Sequence, residues 1–181
     1  MAVSIVALVA SATPATVTTK NLQTKYGILT YVYFETVSAT SSSTPGTNTA
    51  FTQSGSTGSY TVLLGSSVNL WSPQFSSAAT LSAGTVELDL WGSAVSGTLT
   101  VSIYATDSTG TIRGTIVSGG STASFGLTKG QLVTRFAGAQ VSVPANGYVE
   151  AVLTGAGLSV ITIYWGAAQE SNFQVPYRVL S

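Results

Sequence analysis

The sequence has no cysteine and no histidine, and each absence removes chemistry. Without Cys there is no disulfide framework, and the chain carries no record of a redox compartment. Without His, neither a Ser-His-Asp triad nor a Cys-His dyad can be assembled from these residues, and the commonest metal ligand is missing. Zinc, haem and iron–sulfur sites lack a donor set for the same reason, and no cofactor is expected. Charge is the next scarcity: 7% of residues are charged, where a typical soluble domain has about 25%. Six Lys plus Arg balance six Asp plus Glu, and so neutral a surface does little to hold copies apart, which makes self-association the expectation. The basic residues are scattered and leave no electrostatic footprint for nucleic acid. No apolar run reaches the roughly 20 residues that cross a bilayer as a helix, so no membrane span is expected. A Ser-x-x-Lys nucleophile motif is also missing, because Val17, Leu22 and Gly126 stand three residues before Lys20, Lys25 and Lys129. No P-loop or Rossmann fingerprint occurs.

What the chain does have is alternation with period two. Tyr26 to Thr36, Tyr60 to Leu64, Thr85 to Trp91, Thr98 to Ala105, Thr111 to Val117, Gln140 to Val143, Tyr148 to Leu153, Ser159 to Trp165 and Phe173 to Val179 read as strands. Turn residues separate them at Asp107 to Gly110, at Ser118-Gly119-Gly120, and at Pro144 to Gly147, where Pro and Gly suit a type I turn. Many short strands with such spacing predict an all-β fold, a jelly-roll-like β-sandwich in one domain over residues 17–181. Ser38 to Ser59 is a Ser/Thr-rich, low-complexity stretch. An abundance of Ser, Thr and Gly beside few Lys and Glu suits an extracellular or cell-surface β-protein.

Glu87 and Asp89 are the one close carboxylate pair, two apart on a predicted strand and therefore on one face. Two carboxylates could serve glycoside hydrolysis or hold Ca²⁺, and Ca²⁺ is the preferred of these because catalysis would need a cleft and supporting polar groups that the sequence does not signal; the plainer reading is a solvated outer face with Leu88 and Leu90 turned inward. Trp71, Trp91 and Trp165, with Tyr104 and Tyr164, are candidates for a platform that stacks sugars, against a role in the core or an interface. Ile161, Ile163 and Trp165 share one face of their strand, which favours the core for Trp165.

The first residues, MAVSIVALVASATPA, are apolar on both faces of a strand, with Val3, Ile5 and Val9 on one and Val6 and Leu8 on the other. That pattern describes a strand enclosed on two sides. Ala10-Ser11-Ala12 resembles a signal-peptidase site, yet no basic segment precedes the apolar run, so a complete signal peptide is not expected here. Pro14 ends the strand, and residues 1–16 are expected to form a donor strand and linker. Given to a neighbour head to tail, such an arm propagates as a filament.

The runs LSAGTVELDLWGSAVSGTLTVSIYATDSTGTI, VPANGYVEAVLTG and ITIYWGAAQESNFQVPYRVL resemble secreted archaeal β-sandwich proteins, the subunits of bundling pili and surface threads. Those fibres are similar in assembly to the biofilm fibre protein TasA. The resemblance implies that Val3, Ile5, Val6, Leu8 and Val9 are donor-strand residues at a subunit interface. It implies a structural protein outside the cell, not an enzyme, whose partners are copies of itself in a homopolymer that bundles in biofilm. The competing readings are a carbohydrate-binding or other surface-binding module and a viral jelly-roll coat or spike protein. N-linked sugar is not expected, since no Asn-x-Ser/Thr occurs.

Overall fold

The computed structural model describes residues 20–24, 27–34, 45, 58–72, 74–165 and 171–178. The expected donor residues Val3, Ile5, Val6, Leu8 and Val9, and the expected boundary at residue 16, lie outside them.

Among the described residues there is no helix. Thirteen strands follow one another: β1 (Lys20–Thr24), β2 (Gly27–Phe34), β3 (Gly58–Val62), β4 (Ser67–Trp71), β5 (Ala79–Leu81), β6 (Gly84–Ser93), β7 (Gly97–Thr106), β8 (Ile112–Ser121), β9 (Gly130–Gly138), β10 (Val141–Val143), β11 (Tyr148–Gly157), β12 (Ile161–Trp165) and β13 (Asn172–Arg178). A nine-stranded sheet runs β1-β2-β13-β6-β12-β3, with β9 on β6, β5 on β13 and β10 on β5; a four-stranded sheet runs β4-β11-β7-β8. All of these strand pairs are antiparallel, and the all-β expectation holds.

Alternation decides which side of each strand is buried. On β6, Val86, Leu88 and Leu90 point inward; facing them from the four-stranded sheet are Leu99, Val101, Ile103 and Ala105 of β7 and Val149, Ala151 and Leu153 of β11. Ile161, Ile163, Phe173 and Val175 complete the layer between the sheets. Each fully buried aliphatic side chain contributes about 1.5–3 kcal/mol. The residues between them in sequence face outward, and on the central strands those outward residues carry the functional groups.

Two turn expectations change in detail. Gly147 N–H donates to the Pro144 carbonyl at 3.0 Å, but Asn146 has φ 60°, a left-handed position that a type I turn does not contain. Ser118-Gly119-Gly120 is no turn: it lies inside β8, where the register against β7 shifts between Val101 and Ile103 and Gly119 takes φ 61°. This is a bulge, and the Gly119 N–H reaches the Ser102 hydroxyl at 3.1 Å instead of a ladder carbonyl.

Candidate functional site

The outer face of the nine-stranded sheet is built on β6. Its outward residues Glu87, Asp89, Trp91 and Ser93 alternate with the core residues, and each is half-buried. The register sets partners on both sides. Trp91 stands between Tyr164 of β12 and Gln131 of β9, and Glu87 stands between Gln174 of β13 and Arg135 of β9. Both expected carboxylates are therefore on one face, as the spacing requires, but they turn to separate partners. Arg135 Nε donates to Glu87 Oε2 at 2.7 Å, while Gln131 Nε2 donates to both oxygens of Asp89, at 3.0 and 2.8 Å. No cluster of three or more His, Cys, Asp or Glu side chains forms among the described residues. A Ca²⁺ ion, which takes 6–8 oxygen ligands, would have to draw these carboxylates away from the partners they hold.

The aromatic part of this face is anchored as firmly. The Tyr164 hydroxyl and Ser93 Oγ lie 3.0 Å apart, and Lys129 Nζ sits 4.1 Å from the centre of the Tyr164 ring. Beneath them the buried Ser171 Oγ accepts from Trp91 N–H at 2.8 Å and donates to the Tyr164 carbonyl at 2.7 Å, tying β6 and β12 together where the two rings neighbour each other.

The other expected aromatics are elsewhere. Trp71 and Tyr104 lie on the outer face of the four-stranded sheet, one on each side of Glu150 of β11. Trp71 is only 1% exposed. Tyr148 meets its indole edge to face, with ring centres 6.0 Å apart and planes at 79°, and Pro45 converges with it on Gly110, whose added Cβ would lie 2.9 Å from Pro45 Cγ and 3.3 Å from Trp71 Cη2. So covered, Trp71 offers no plane for stacking. Trp165 ends β12 opposite Gly58. The four expected aromatics whose side chains are described thus divide, and among them Trp91 with Tyr164 is the pair that stays together and half-open.

Glu150 was not singled out by the sequence reading. It is 6% exposed, and its Oε1 accepts from Asn69 Nδ2 at 2.7 Å. Burial raises its pKa above the ordinary glutamate value, and the Asn69 hydrogen bond opposes that rise. The available signal was a lone acid in an otherwise uncharged strand, YVEAVLTGAG. Gln131, Arg135 and Lys129 were missed as well, because nothing local marks β9 as the neighbour of β6.

No protein-family model matches the chain, and no curated protein matches it. Solved structures do. Two crystal structures of a CocE/NonD family hydrolase from Staphylococcus aureus match with a TM-score of 0.55 at 10% identity, covering 81% of this chain and 36% of the hydrolase. An aminopeptidase from a marine sediment Thaumarchaeota archaeon matches at a TM-score of 0.46 and 5% identity, over 62% of this chain and 26% of its own, too weakly to carry weight. The chain spans about a third of the length of the S. aureus hydrolase. These findings correct the expectation of a filament subunit and, with it, the expectation of a protein that is not an enzyme: the fold is one that a hydrolase carries. At 10% identity the similarity extends to the fold alone.

Proposed function

We propose that this chain is the β-sandwich part of a hydrolase and holds a neutral, hydroxyl-rich substrate on the outer face of its nine-stranded sheet. The observation that carries this reading is the row Tyr164, Trp91 and Gln131 across three strands, set beside Asp89 and the Glu87–Arg135 pair. An indole presents a flat apolar face to the C–H side of a sugar ring, while carboxylates, an amide and a guanidinium exchange hydrogen bonds with its hydroxyls. Two acids, Glu87 and Asp89, meet two bases, Arg135 and Lys129, so the face has no excess of either sign. That balance favours an uncharged ligand over a phosphate or a polyanion. The hydrolase role rests on the fold shared with the S. aureus enzyme. Because the sequence contains no His or Cys, a Ser-His-Asp or Cys-His centre would take its base from outside these 181 residues.

Native electrophoresis of the chain through gels containing neutral polysaccharides tests the reading. Retardation is expected in at least one glucan, mannan or xylan gel. Trp91→Ala should weaken it by about tenfold, the equivalent of about 1.4 kcal/mol, with an unchanged circular dichroism spectrum. Free migration in every gel, or a variant retarded as strongly as the parent, would overturn the proposal.

A further inference from the structure

The large apolar side chains that stand exposed are not scattered. Eight are exposed among the described residues, and six of them, Leu63, Leu64, Val95, Leu127, Leu158 and Val160, belong to four connections: β3–β4, β6–β7, β8–β9 and β11–β12. Strand register puts all four at one end of the molecule. Gly97 pairs with Gly157, Gly92 with Gly130, Thr154 with Ser67, and Ile161 with Val62. Hydrogen bonds then tie the connections to one another and to the end of β11. Leu158 N–H donates to the Ser96 carbonyl at 3.1 Å, Ser96 N–H to Ser159 Oγ at 2.9 Å, Ala94 N–H to the Gly126 carbonyl at 2.8 Å, and Gly65 N–H to the Gly155 carbonyl at 2.9 Å. The opposite end carries one exposed large apolar side chain, Ile112, and is otherwise polar: there Asp107 and Arg113 form an ion pair and Gln74 bonds the Asn146 carbonyl.

We propose that the Leu63–Val95–Leu127–Leu158 end is a membrane-docking surface that seats its turn tips in the outer layer of a lipid bilayer. Three features select a bilayer. The tips belong to separate turns and stand far out, with Leu158 87%, Leu127 75% and Val95 73% exposed, so a folded partner would need a separate socket for each, whereas fluid acyl chains conform to any spacing. Several backbone amides of these connections, those of Gly65, Ser66, Ala94, Ser96 and Leu158, are already paired within the protein, which lowers the cost of approaching a medium that offers them no partner. Segments 63–66, 94–96, 122–129 and 158–160 contain no acid, and their one charge is Lys129, which stands over the Tyr164 ring where this end borders the sheet face; a cation at that border adds a long-range attraction to anionic headgroups. Exposed large apolar side chains gathered at one end of a folded domain point to an interaction surface, and burial of these tips in acyl chains supplies the attraction.

Flotation of the full chain with unilamellar vesicles gives the test. The protein is expected to float with phosphatidylcholine vesicles, and more completely when phosphatidylglycerol is included. The double variant Leu127→Ser/Leu158→Ser should bind at least about tenfold more weakly. Both side chains are exposed, so its melting temperature should match the parent's. Parent protein that stays unbound with both vesicle types overturns the proposal, and so does a double variant that floats equally well. Self-association through these tips without flotation also overturns it and assigns the surface to a second copy. The polysaccharide-binding reading concerns the sheet face and stands or falls separately.

Discussion

Two carboxyl groups titrate in opposite directions here, and their surroundings explain why. Asp107 opens the β7–β8 turn, where Thr109 gives it both hydroxyl and amide hydrogens, at 2.7 and 2.9 Å, and Thr111 and Arg113 add theirs. These donors, the Thr109 hydroxyl foremost, hold its carboxyl well below the usual carboxylate range. Its stabilising effect is therefore present above the unfolded value near 3.8 and is lost as pH falls below it. Glu150 is the reverse: burial raises its pKa above the ordinary 4.5, so the folded state favours the neutral acid. Its contribution is complete below about 4.5 and is lost as pH rises through its folded value. Glu150→Gln keeps an acceptor for Asn69 and abolishes the ionisation. The variant should melt close to the parent at pH 4 and above it at pH 7, a gap that widens with pH in thermal melts. A gap that is constant with pH would show that Glu150 does not titrate differently on folding.

At the scale of elements, the long strands β6, β7 and β11 were legible because apolar residues recur at every second position and each faces the core. β9 was not. In GQLVTRFAG the burial alternates without a break, Leu132, Thr134 and Phe136 inward and Gln131, Val133 and Arg135 outward, but a polar Thr134 stands on the inner side and an apolar Val133 on the outer, so the hydropathy does not follow the alternation. The three-residue β5 is too short for a period to register. Since β9 supplies Gln131 and Arg135, missing that strand concealed half of the candidate site, while the Glu87 and Asp89 half was readable from β6 alone. Just beyond the site, Gly92 of β6 marks a tight packing point. A Cβ there would fall 2.4 Å from Phe125 Cε1, in the β8–β9 connection, whose backbone is pinned by Phe125 N–H to the Gly97 carbonyl at 2.9 Å. Overpacking of this kind costs about 1–3 kcal/mol. Gly92→Ala should therefore lower the melting temperature by roughly 2–10 °C, and adding Phe125→Leu should restore part of the loss. An Ala variant that melts with the parent would mean the ring moves aside without cost.

For the molecule as a whole, the scarcity of charge sets what stability can depend on. The two ion pairs among the described residues, Arg113–Asp107 and Arg135–Glu87, present Arg side chains that are 57% and 68% exposed, and exposed pairs contribute about 0–1 kcal/mol each. The layer of Leu, Val, Ile and Phe between the sheets carries the stability instead, and its strength is insensitive to modest concentrations of sodium chloride. Raising sodium chloride from about 20 mM to about 500 mM shortens the Debye length from roughly 20 Å to roughly 4 Å, enough to silence surface electrostatics, yet the melting temperature should move by no more than about 2 °C. A fall of about 5 °C or more in a salt titration followed by circular dichroism would reveal charge networks that the described residues do not contain. The same neutrality bears on function. With formal net charge zero, the long-range field that steers charged substrates is weak. A ligand of this chain is therefore expected to be chosen by short-range contacts and not by long-range attraction.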